Sequence, residues 1–78
     1  MPNVLKIRNE HSEQIRIVLE PWAHEYSVRP GSTIEIAPRA PIDTEVVEVD
    51  YYEGIIVVHA FSIDMSVLLD GKEAVPFE

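Results

Sequence analysis

Hydrophobic residues recur with a period of two along almost the whole chain. Leu5 and Ile7 alternate with Lys6 and Arg8, and Ile15, Ile17 and Leu19 alternate with Gln14, Arg16 and Val18. Successive side chains of an extended chain point to opposite faces, so this spacing predicts strands with one wet face, Ile17 pointing inward. The polar run Asn9 to Glu13 reads as a loop short enough to join antiparallel neighbours. After Pro21, Tyr26 and Val28 face one way while Glu25, Ser27 and Arg29 face the other. Pro30-Gly31 then predicts a type II turn, because proline presets the first turn angle and glycine accepts the positive φ of the second. Ile34 and Ile36 form one side of a further strand, and Pro38 to Pro41 breaks the regularity.

The second half repeats the rhythm. Val46 to Asp50 and Gly54 to Phe61 flank Tyr51-Tyr52-Glu53-Gly54, which reads as a hairpin connection with the glycine in a left-handed conformation. Ile55 to Val58 is apolar on both faces and is therefore expected in the middle of a sheet. Phe61, Ile63, Met65, Val67 and Leu69 alternate with Ser62, Asp64 and Ser66, Asp70-Gly71 is a two-residue turn signal, and Lys72 to Val75 reads as a short last strand. No stretch of a dozen residues has helical spacing, although the pattern of Pro41 to Glu48 also admits a helical turn. The expectation is an all-β chain: one domain over residues 1–78, with about seven to eight short strands in a compact antiparallel β-sandwich or small barrel.

Composition narrows the function classes. The chain has no cysteine, which excludes disulfides and thiolate chemistry and fits a reducing compartment. Its first ten residues lack the apolar core of a signal peptide, and no apolar run approaches membrane-spanning length, so a cytoplasmic protein without membrane contact is expected. The formal charge of -8 is uneven: residues 1–39 hold five Lys/Arg and five Asp/Glu, whereas residues 40–78 hold Lys72 against nine acids. Nucleic-acid binding needs cations to displace phosphate counterions, so nucleic acid is excluded as a partner. A protein with a basic surface, or a second copy of the chain, is the expected partner.

The Glu20-Pro21-Trp22 corner, the Tyr26 to Val28 strand, Pro30-Gly31, and Asn9 after the first strand resemble small uncharacterised bacterial proteins. The opening strands are also similar to immunoglobulin-like and cupredoxin-like sandwiches. That resemblance implies a fold and no activity, and a cupredoxin copper site would need a cysteine that this chain lacks.

Catalytic and metal signatures are missing. His11, His24 and His59 have none of the short ligand spacings of zinc sites, so no metal and no cofactor is expected, although His59 within an apolar strand must find a partner. The carboxylates of Asp43, Glu45, Glu48, Asp50 and Glu53 show no signature that singles out an acid/base pair, and no serine lies in a nucleophile elbow.

Two surfaces remain. Trp22, His24 and Tyr26 would share one face if the chain stays extended, either stacking on a ligand or capping the core. A small domain usually spends its single tryptophan on its core, so the corner is expected to be architecture. Tyr51 and Tyr52 point to opposite faces, one packed and one exposed, and the exposed ring could join Glu48, Asp50 and Glu53 in an acidic-aromatic patch suited to Arg or Lys. These residues favour a non-enzymatic protein-interaction module. A carbohydrate or small-ligand module using Trp22 is the alternative, and an enzyme with a carboxylate pair ranks last.

Overall fold

The computed structural model describes residues 4–76 and holds eight strands there. In chain order they are β1 (Leu5–Arg8), β2 (Ile15–Glu20), β3 (His24–Val28), β4 (Thr33–Pro38), β5 (Val49–Tyr52), β6 (Ile55–His59), β7 (Met65–Leu69) and β8 (Lys72–Glu73). Among the described residues no helix is long and apolar enough to cross a membrane. The strands form two four-stranded sheets, ordered β1-β4-β7-β8 and β3-β2-β6-β5. Ile34, Ile36 and Val67 of the first pack against Ile17, Leu19, Tyr26, Val28 and Val58 of the second. These are the inward positions of the period-two pattern, and their burial from both sides makes the architecture an all-β sandwich rather than a barrel.

The turns follow their residues. The Arg29 carbonyl accepts the Ser32 N–H at 3.0 Å across Pro30-Gly31, with Gly31 at φ +84°, as a type II turn requires. Asp70 and Gly71 both have positive φ between paired Leu69 and Lys72, the geometry of a two-residue hairpin turn. Ile55 to Val58 does lie in the middle of a sheet, because β6 sits between β2 and β5.

The connections depart from the sequence reading in four places. The Asn9 to Glu13 loop does not join antiparallel neighbours: β1 pairs with β4, β2 pairs with β3 and β6, and the loop crosses between sheets. β2 and β6 pair in parallel, the one parallel pair among the described residues. The strand expected from Val46 starts only at Val49, and no helical turn forms over Pro41 to Glu48, where Thr44 Oγ1 bonds the Val46 main chain and Ile42 makes an isolated bridge to Ser62. The alternation from Phe61 to Leu69 is also broken, since Ile63 is 78% exposed while Phe61 and Val67 are buried. Here the chain passes from β6 in one sheet to β7 in the other. Buried Ser62 holds the passage, donating to the Ala40 carbonyl and accepting the Asp64 N–H.

Candidate functional site

The outer face of the β3-β2-β6-β5 sheet follows from register. Leu19 and Val58 are paired and buried, so Val57 and His59 on β6, and Val18 and Glu20 on β2, point away from the core. Across the hairpin, Tyr52 pairs with Ile55 and Asp50 with Val57, which puts Tyr52 and Asp50 on that outer face. The Glu48 carbonyl accepts the His59 N–H at 3.0 Å and continues the ladder by one step. Glu48, Asp50, Tyr52 and His59 therefore share one surface.

At its centre, His59 Nε2 lies 2.7 Å from Asp50 Oδ2 and 3.8 Å from Glu48 Oε2, all three side chains being partly exposed. The hydrogen bond to Asp50 raises the His59 pKa above its ordinary 6.5; partial desolvation opposes the shift, and the negative charges of Glu48, Asp50 and Glu20 reinforce it. Glu20, paired across from His59 on β2, also accepts the Ala23 N–H through Oε1, linking the cluster to the Trp22 corner. Asp43, Glu45, Glu48, Asp50 and Glu53 stand in residues 43–53 with no Lys or Arg among them. Their field favours cations and protonated imidazole.

The predicted residues separate into three environments. Tyr26 is core, 5% exposed. Trp22 is not: at 39% exposed it lies in the turn before β3 and stacks on His24, ring centroids 6.1 Å apart. Ala23, between them, adopts φ +58° and ends the alternation that would have aligned Trp22 with Tyr26. Tyr51 and Tyr52 are both exposed, at 75% and 57%, instead of one being packed. They belong to edge strand β5 rather than to the turn, which is Glu53-Gly54 alone, and the facing sheet leaves inward-pointing Tyr51 open. Tyr51 and Glu53 line an open crevice of 620 Å³ with Asn9, His11, Ile15 and Ile56.

His59, expected from sequence only to need a partner, finds it in Asp50 and so joins the acidic patch. Placing the turn at Glu53-Gly54 and counting outward pairs Tyr52 with Ile55, Asp50 with Val57 and Glu48 with His59, so the signal was available once the turn was fixed. Glu48, Asp50 and His59 also bring one ligand atom each to within 4.8 Å of one another. Linear spacing cannot reveal such a group, because strand pairing assembles it. Nε2 is engaged by Asp50, and the arrangement is an imidazole held between carboxylates.

No protein-family model, no curated protein and no solved structure matches the chain.

Proposed function

We propose that this protein is a small non-enzymatic interaction module of a reducing, cytoplasmic compartment, whose acidic-aromatic β5–β6 face binds a basic surface of another protein. The observation that carries this reading is the alignment of Glu48, Asp50 and Tyr52 on one outer face, within residues 43–53 that hold five acids and no Lys or Arg. A partner's Arg or Lys entering this face replaces part of its hydration with carboxylates and an aromatic ring, the contacts that raise association rates and select charge. The test is a pull-down from native lysate at low and high salt with the wild type and Glu48→Lys/Asp50→Lys. A protein retained at low salt, and lost at high salt and on charge reversal, is the expected result. Retained nucleic acid, or capture indifferent to the reversal, overturns it.

The exposed, stacked Trp22–His24 pair favours a second reading, a ring platform for a carbohydrate or small ligand. Under this reading saccharides quench or shift Trp22 fluorescence in a saturable way, and linear, non-saturating quenching removes it.

A further inference from the structure

The β3-β2-β6-β5 and β1-β4-β7-β8 sheets have four edges among the described residues, and two are blunted. β8 is only two residues long and β1 carries Lys6 and Arg8; β3 is open, but its apolar Tyr26 and Val28 are already buried and leave a new strand no bare apolar surface to cover. Short length and basic side chains are the usual protections of an edge against strand pairing. β5 lacks them: Val49, Tyr51 and Tyr52 are exposed, and Asp50 is its single charge.

The ladder fixes which main-chain groups of β5 are free. In an antiparallel pair, residues alternate between facing the partner and facing away. The Glu48 carbonyl accepts the His59 N–H, so Asp50 and Tyr52 also turn their N–H and C=O toward β6. Val49 and Tyr51 then present theirs to the open side. Their side chains point inward, paired with Val58 and Ile56, whereas the Asp50 side chain points outward beside Glu48.

We infer that the free edge of β5 receives an extended basic segment of a partner protein as an additional strand, with apolar residues opposite Val49 and Tyr51 and a lysine or arginine opposite Asp50. The inference rests on the acidic-face reading for its charge and adds a main-chain mode of binding to it. Side chains opposite Val49 and Tyr51 extend the inner face of the sheet, where Tyr51 borders the crevice, and cover apolar surface the fold leaves bare. A cation opposite Asp50 falls among Asp50 and Glu48 and completes a cross-strand pair of opposite charge. A second copy is a poorer occupant, because antiparallel pairing of two β5 edges sets the Glu48 and Asp50 carboxylates of one chain near those of the other.

The experiment uses the whole chain and a short peptide alternating valine and lysine, followed by backbone amide NMR. Binding is expected to perturb the Val49 and Tyr51 amides and slow their exchange. The same peptide, N-methylated at the residues that face β5, is expected to bind at least about tenfold more weakly, because its charge is kept and its ladder donors are lost. Tyr51→Pro deletes an N–H that faces solvent, a tolerated place for proline at an edge, and is expected to cause a similar loss. Should that variant not fold, the methylated peptide decides alone. Equal binding of both peptides overturns strand addition and leaves the acidic-face reading intact. Binding unaffected by Glu48→Lys/Asp50→Lys overturns the reading beneath it. No binding, or self-association through β5 in sedimentation, overturns the inference outright.

Discussion

At the Asn9 end of the sandwich one buried side chain donates to the Glu13 and Val28 carbonyls at 2.9 Å each and accepts the His11 N–H at 2.9 Å. Its main chain bonds Ser32 and Gly31, so the β1–β2 crossing and the Pro30-Gly31 turn are sewn to one residue. The β5 edge is the opposite case. Its apolar side chains are bare, and the main-chain groups of Val49 and Tyr51 face away from the sheet. One row of paired residues crosses between these conditions, from Tyr26 through Ile17 and Ile56 to Tyr51, going from buried to 75% exposed. All four point to the same side of the sheet, so direction alone does not bury a side chain. Cover by the facing sheet does.

The sharpest way to break that comparison is to put the same charge at two points of the row. Ile17→Asp buries a carboxylate at a fully enclosed position, an expected cost of several kcal/mol against a total stability of about 5–15 kcal/mol for a small domain. It should leave the chain unfolded by circular dichroism at room temperature. Tyr51→Asp, two strands away in the same row, should leave the melting midpoint within a few degrees of wild type. Equal loss from both substitutions would mean that the β5 side is covered.

A smaller loss is expected at Asn9. Asn9→Leu keeps a similar volume but strands two carbonyls and one N–H, and unsatisfied buried groups cost about 1–3 kcal/mol each. Water reaching the partly exposed Glu13 and His11 groups relieves some of this, so a drop of about 2–4 kcal/mol in urea unfolding is expected. Asp50→Asn, which keeps an acceptor for His59 but removes its charge, lies at a half-exposed site and should change stability by less than about 1 kcal/mol. A mild Asn9→Leu would show that the crossing is held by something other than this side chain.

The elements were legible where local chemistry decides them. Ile17, Tyr26, Val28, Ile34 and Ile36 announce their faces through alternation, and Pro30-Gly31 and Asp70-Gly71 announce their turns through φ preferences. What failed was long-range. Residues 9 to 13 look like any short polar loop, and nothing local says that Asn9 will bond Val28 nineteen positions away and send β2 into the other sheet. Ile63 fits the alternation in the sequence but falls out of it in the structure, where Ser62 is buried and Ile63 is exposed as the chain changes sheets. At the site, Glu48 and Asp50 were legible as one side of a strand, whereas Tyr52 was read as part of the hairpin connection and joins them only because β5 extends to it. The mutual exposure of Tyr51 and Tyr52 was not, because it depends on β5 being an edge, and Ala23 at positive φ rotated Trp22 out of line with Tyr26 without any glycine to signal it.

The smallest expected effect separates the two regions by pH, because each carries a titrating group shifted in its own direction. Asp70, at the hairpin turn beside Thr33, accepts the Thr33 N–H at 3.0 Å, and that bond, with Ser32 and the Arg29 charge, lowers its pKa below the ordinary 3.8. A lowered carboxylate contributes stability that is present above its unfolded value and lost as pH falls through its folded value. Asp70→Asn should therefore lower the melting midpoint at neutral pH, and its deficit should vanish in strong acid. His59 runs the other way. Its pKa is raised above 6.5 chiefly by the bond to Asp50, so its contribution is complete below the unfolded value and disappears as pH rises through the raised folded value. His59→Gln should show its largest deficit near pH 6 and match wild type at distinctly alkaline pH. Chemical-shift titration of the His59 ring gives the folded pKa directly, and Asp50→Asn should bring it down toward 6.5. A His59 titration unmoved by Asp50→Asn would break the cluster on which the acidic face depends. A shift confined to Asp50→Asn, absent in Tyr52→Phe, would fix the carboxylate rather than the ring as its cause.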